Sequence, residues 1–448
     1  MKKSVIFVIL ASFLLSLLLP VHSFASYNDE ISDISSDIVY VISLDNGNVI
    51  FDKNCEKKTA PASMTKLMTA LLTLENISDM TKQLTVSQSS VDMLAGTGAL
   101  NASLVAGERM TVRDLLYCLL IPNANDAACV LAETIGGTVP AFVGMMNDKA
   151  QKLGLTGTHY VNPHGLDEDG QYTTARDVAI IVQEALKYPL FEKITSAREY
   201  TVPATNMSDE RALTSTNLMM NPYYDSYYLS YVKGINTGAT ANSGRCVVTK
   251  ASKDGYTYLA VVMGGKDKDG NGSDYNGAFA DCKKVLGWTY SNIKYKVVAD
   301  IDQTISVSEL KYCWKTDHIR LVPVEEVYAL VPRSLDASSL YYELSDELNK
   351  PLKASIKKGD VVGTATAYYG GNPIATIDLT VEETVHHSVI LHILSVFKAA
   401  WNNLFGKVVI IALALTVIVL LLLRKLVKKG VIDISEIRYN RNLKKHLK

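Results

Sequence analysis

The chain has 448 residues, of which 48% are apolar and 20% charged, with a formal net charge of -1. This is globular composition with room for two or three domains. A near-neutral balance gives no electrostatic footprint for a nucleic-acid partner.

In chain order, Lys2 and Lys3 precede an uncharged apolar run from Val5 to Leu19, and Ser23-Phe24-Ala25 follows. A basic start, an apolar centre and small residues at a cleavage point predict a signal peptide over residues 1–25, the alternative being an uncleaved anchor. Residues 36–292 read as one domain. It opens with a hairpin, "DIVYVISL" and "NVIF" flanking Asp45-Asn46-Gly47, the turn chemistry hairpins favour. In "PASMTKLMTA", residues 61–70, Ser63 and Lys66 fall one helical turn apart on one face. Helical patterns continue through "TVRDLLYCLL" and "DAACVLAETI". Asn162 to Gly170 is turn-rich, and Thr173 or Thr174 is placed to cap a helix starting near Ala175. His164 in that loop reads as a satisfied loop histidine. Tyr223, Tyr224, Tyr227, Tyr228 and Tyr231 read as strand packing ahead of an aromatic rim for glycan or peptide. Strand patterns return at "GRCVVTKAS" and "YTYLAVVMGG", and "GAFADCKKVLGWTYSNI" is helical. Helices enclosed between early and late strands predict an α+β fold, a helical cluster against an antiparallel sheet built from both ends of the sequence.

Residues 295–383 change to short β segments punctuated by Gly, Asp, Asn and Pro, the texture of a small β-sandwich. Residues 384–403 read as a linker. From Val408 to Leu423 there is no charge, and residues 404–423 predict a transmembrane helix, with a buried soluble helix as the alternative. The tail, residues 424–448, is basic: Arg424, Lys425, Lys428 and Lys429 are followed by five more cations against Asp433 and Glu436. The positive-inside bias puts this tail in the cytoplasm and residues 26–403 outside, on a single C-terminal anchor in the cell membrane. The six cysteines, Cys55, Cys118, Cys129, Cys246, Cys282 and Cys313, form no CxxC pair, so a zinc site is not indicated. An exported chain could form disulfides, whose connectivity the sequence does not give, and small core residues is the default reading for most of them.

Chemistry concentrates at Ser63. A serine is a poor nucleophile until an adjacent base takes its proton, and Lys66 can serve if its amine is neutral, its pKa brought from ~10.4 toward ~7–8 by desolvation. An SxxK pair alone is a weak signal. Here "IPNANDAACVLAE", "YVNPHGLDEDGQYTTARDVA", "LTSTNLM" and "VKGINTGATANSGRC" follow in order. With "APASMTKLMTA" in front, the chain resembles the low-molecular-mass penicillin-binding proteins, the serine D-alanyl-D-alanine carboxypeptidases. The resemblance runs from Ile38 to about Thr380 and includes "KKGDVVGTATAYYGGNPIATIDLTV", similar to that family's C-terminal β domain.

The resemblance implies a β-lactamase/transpeptidase-like domain that trims peptidoglycan stem peptides ending in D-Ala-D-Ala. It implies Ser63, Lys66 and Asn125 as catalytic residues, and Asn123, Asn236, Thr237, Gly238 and Ala239 as substrate-binding ones. The amides of Ser63 and Ala239 would receive the oxyanion, β-lactams would be covalent inhibitors, and no cofactor is implied. Three positions depart from the family pattern. Asn123 stands where the second motif has serine, Asn236 where the third has lysine, and Ala278 where an arginine is usual. Asn123 and Asn236 could be a matched pair of amides. A weakened carboxypeptidase is the first reading. A binding module without turnover is the second, and a β-lactam-hydrolysing enzyme the third, with no deacylating carboxylate to name.

Overall fold

The computed structural model describes residues 31–269 and 272–429, so the expected signal peptide and residues 430–448 of the basic tail lie outside the described residues. Two compact units emerge, one holding the chain through Val298 with residues 328–341 and 367–375, the other the remainder.

The first unit is α+β. Strand β1 (Ile38–Ser43) pairs with β2 (Val49–Lys53) across the expected turn, where Gly47 takes a φ of +78°. β1 also pairs antiparallel with β5 (Tyr256–Gly265), placing Ile38 opposite Met263. β5 continues through β4 (Gly244–Lys253) to β3 (Val232–Thr240). The order β2-β1-β5-β4-β3 leaves β3 at an edge and closes the sheet with strands from both ends of the domain, as the enclosing pattern predicts. Consecutive residues Leu259 to Met263 are all buried, so both faces of β5 are covered and its sequence is unbroken apolar rather than alternating.

The helices lie between β2 and β3 in sequence. In α1 (Thr65–Asn76) every residue from Thr65 to Leu74 is buried, which leaves no solvent face. It packs among α2 (Val112–Leu120), α3 (Asn125–Gly136), α4 (Val139–Lys152) and α5 (Ala175–Ala185). Of the two threonines offered as caps for α5, Thr174 does the capping, accepting from the Asp177 amide. Thr173 instead bridges to Thr59. α6 (Gly277–Asn292), capped by Asn276, covers β4 and β5.

Two expectations about local structure are corrected. The tyrosines do not lie in a strand, because Asn221-Pro222 and the turns after it break the ladder. Tyr223 is 93% exposed, while Tyr227 packs against Phe279 and Tyr231 meets Tyr290 edge-on. The stretch read as a linker contains a helix, α7 (Val389–Asn402), whose apolar residues at 389, 390, 393, 394, 397 and 401 recur with helical period.

Residues 293–381 carry short strands in a two-stranded and a six-stranded sheet. In the second unit Ser306–Lys311 pairs antiparallel with His318–Pro323, which pairs with the end of Asn372–Val381. α8 (Leu404–Lys428) is long and apolar enough to cross a membrane. All six cysteines are free, five of them buried.

Candidate active site

Ser63 sits in a single tight turn, Ala62–Met64, that runs straight into α1. Ala62 holds a left-handed φ of +45°, a conformation that a residue with a Cβ keeps only when its surroundings enforce it. Gly165 is part of those surroundings, because a Cβ there would lie 1.8 Å from the Ala62 carbonyl oxygen. In this turn Lys66 Nζ donates to Ser63 Oγ at 2.9 Å and to the His164 carbonyl at 2.8 Å. Lys66 is fully buried, and burial pushes its amine from 10.5 down to about 7, against an opposing pull from Cys129 and Asp126. A neutral amine, the form a base requires, is thereby brought within reach near neutral pH.

The His164 loop is the part that sequence reasoning missed. Its imidazole is pushed down to about 4, by burial and then by Lys66, so it stays neutral. What it gives Lys66 is a backbone carbonyl. The loop is pinned to α1 by the Thr69 hydroxyl donating to Pro163 at 2.7 Å, and braced by Asn162 Oδ1 accepting from the Gly165 amide at 2.7 Å. The signal that could have found it is the turn-rich spelling with a glycine at 165.

The facing wall is Asn123-Ala124-Asn125, between α2 and α3. Asn123 has a φ of +59°, and its Nδ2 donates to Thr216 Oγ1 at 2.8 Å and Thr237 Oγ1 at 3.2 Å. Those two hydroxyls are 2.6 Å apart. Asn125 donates from its side chain to the Leu100 carbonyl at 2.8 Å. Asn236 reaches the Ser63 carbonyl at 3.5 Å. The two amides therefore do not bond each other: the nitrogen of Asn123 is taken up by threonine hydroxyls and that of Asn236 by a backbone oxygen. Each leaves its Oδ1 buried with no donor among the described residues, a condition that costs about 1–3 kcal/mol when nothing else compensates it.

β3 completes the site. A Cβ on Gly238 would lie 2.9 Å from the Ser63 amide nitrogen, so glycine lets this edge strand press against the Ser63 turn. Ser63, Asn123, Asn125, Thr237, Gly238 and Ala239 all line one cleft of about 760 Å³. Asn236 is 2% exposed and stands outside that lining, as does Lys66 beneath Ser63. Ala278, where an arginine is usual in the resembled family, is a buried methyl in the first turn of α6. A hydroxyl bonded to a neutralisable amine, at the bottom of a peptide-sized cleft with a free strand edge, is equipped for acyl transfer to serine.

Comparison with known proteins agrees. Residues 25–267 match the peptidase family described as D-alanyl-D-alanine carboxypeptidase, and residues 301–387 match the C-terminal domain of penicillin-binding protein 5. The chain is 30% identical to the D-alanyl-D-alanine carboxypeptidase DacF of Bacillus subtilis, over 81% of its own length and 89% of that protein. It is 30% identical to DacC of Escherichia coli over 76% and 81% respectively. Its fold resembles penicillin binding protein 5 from Haemophilus influenzae with a TM-score of 0.58 at 26% identity, covering 80% of this chain and 99% of that one. The first of these matches spans the serine turn, the facing wall and β3 alike, and with it the chain is placed as a member of the D-alanyl-D-alanine carboxypeptidase family.

Proposed function

We propose that this chain is a membrane-anchored serine carboxypeptidase that removes the terminal D-alanine of peptidoglycan stem peptides, more slowly than a family member with intact motifs. The observation that carries the reading is the 2.9 Å contact between Ser63 Oγ and an amine that burial brings to about 7. Lys66 takes the hydroxyl proton as Ser63 Oγ bonds to the carbonyl carbon of the penultimate D-alanine. The amides of Ser63 and Ala239 receive the oxyanion, and the free edge of β3 pairs with the extended peptide. Collapse breaks the C–N bond, and Lys66 gives the proton it took from Ser63 to the departing D-alanine nitrogen, which returns the amine to its neutral form. Water then attacks the Ser63 ester as Lys66 accepts its proton, the Oγ–C bond breaks, Lys66 returns that proton to Ser63 Oγ, and the shortened peptide leaves.

Slowness follows from the facing wall. A serine hydroxyl at 123 could pass a proton to the leaving nitrogen, whereas an amide only donates or accepts hydrogen bonds. Acid–base assistance of this kind is typically worth ~10²–10⁴-fold. Anchoring by α8, with Arg424, Lys425, Lys428 and Lys429 at its far end, supports a catalytic domain held outside the membrane.

The test is fluorescent penicillin labelling of the full chain, paired with assay of D-alanine release from a diacetylated pentapeptide. A covalent band that disappears in Ser63→Ala, with slow release, is expected. No band at high probe concentration and no release would overturn the proposal. A second reading, a stem-peptide binding module without turnover, is favoured by the amide oxygens of Asn123 and Asn236, which are buried with no donor among the described residues. It predicts peptide binding with no adduct.

A further inference from the structure

We propose that Arg245 is the receptor for the substrate's terminal carboxylate, standing in for the cations absent at Asn236 and Ala278; this rests on reading the cleft as a stem-peptide site. Selecting a free C-terminus means taking an anion partly out of water, which is unfavourable unless a cation meets it. The charged side chains lining the cleft are Asp167 and Arg245, with His164 held neutral. Asp167 has the wrong sign and is engaged by Thr240 Oγ1 at 2.7 Å and the Asn242 amide at 3.2 Å. Lys66 is buried beneath Ser63, and a positive charge kept there would disable the base.

Arg245 lies at the start of β4, opposite Ala239 on β3 and opposite Gly265 on β5. Cross-strand partners share a face of the sheet, so Arg245 stands beside the residue whose amide is the proposed oxyanion donor. Gly265 touches the first turn of α6: a Cβ there would lie 2.4 Å from the Ala278 nitrogen. Arg245 is thus one strand neighbour away from the position where the family carries its arginine. Its Nε donates to Asp267, its side chain is 42% exposed, and its two terminal nitrogens have no hydrogen-bond partner among the described residues. Asp267 grips one edge of the guanidinium and leaves the paired donors of the other, the geometry that receives a carboxylate bidentately.

The experiment separates recognition from turnover by using the full chain carrying Ser63→Ala. Calorimetry compares diacetyl-L-Lys-D-Ala-D-Ala with its C-terminal carboxamide. The free acid is expected to bind about tenfold or more tightly than the amide. Adding Arg245→Gln should collapse the preference to under about twofold, while adding Asp267→Asn, which keeps the cation, should retain it. Arg245→Met serves as the second variant if glutamine lowers the melting temperature. Equal binding of acid and amide before Arg245 is changed, a preference that survives its loss, or no binding of either ligand would each overturn the assignment. An Arg245-dependent preference in a chain whose wild-type form makes no penicillin adduct would retire the turnover proposal and leave this one standing.

Discussion

The wall of the cleft that carries Ser63 and the wall that carries Asn123 are finished to different degrees. On the first, the Lys66 amine is bonded to both Ser63 Oγ and the His164 carbonyl, inside a helix with no solvent face. On the second, Asn123 and Asn236 each bury an amide oxygen that meets no donor among the described residues. The first wall comes from one helix and a loop packed on it, so in the proposed mechanism nucleophile activation is nearly a local property of α1. The second is assembled from the α2–α3 loop, Thr216 and β3, segments far apart in sequence. Handling of the leaving group can therefore change while the nucleophile keeps its geometry, and the Ser63–Lys66 pair alone does not report the rate.

The largest expected effect tests the finished wall. Lys66→Met keeps an apolar stem in the buried site but removes the base, and penicillin acylation should slow by ~10²–10⁴-fold; wild-type labelling kinetics in this variant would end the claim that Lys66 is the base. The same amine sets the pH behaviour. Acylation should rise through about pH 7 as the amine loses its proton and then level off. For stability the sign is set by where the proton resides: between about 7 and 10.5 the unfolded chain binds it and the folded chain does not, so stability should climb with pH across that window. Lys66→Met should flatten that climb in melting temperatures recorded against pH.

Next in size is Gly238→Ala, whose new Cβ would press within 2.9 Å of the Ser63 nitrogen. Displacing an oxyanion donor costs on the order of 10²–10³-fold, so labelling should slow by that order. The atom met is backbone and must shift, so the melting temperature should fall as well. Retained labelling would mean that β3 does not supply the oxyanion site. The smallest expected effect is a gain on the unfinished wall. Asn123→Ser with Asn236→Lys restores a hydroxyl and an ammonium there, and D-alanine release should rise about tenfold. The added cation should also move the acylation profile to lower pH. Unaltered release would locate the slow step elsewhere.

Much of this was legible in the sequence because it rests on local rules. The Asp45-Asn46-Gly47 hairpin, the threonine cap of α5 and the one-turn spacing of Ser63 and Lys66 are each set within a few residues. The closure of the sheet by β1 and β5 followed from strand patterns at both ends of a helical stretch. What stayed hidden depends on backbone or on distant partners. The His164 carbonyl carries no side-chain signature, and the left-handed Ala62 shows only once Gly165 is seen against it. The destination of the Asn123 amide required Thr216 and Thr237, residues from two other segments. α7 was missed because its short apolar period sits between a β-rich region and a much longer apolar helix.

The pairing of β1 with β5 also bears on how the molecule is made. β1 leaves the ribosome early, yet its main neighbour is the final strand of the sheet. Until β5 arrives, Ile38, Val39 and Val41, all enclosed in the finished sheet, sit on an apolar edge open to wrong partners. A product terminated before β5 would therefore leave that edge without its partner, an expected aggregation hazard rather than a partly working enzyme.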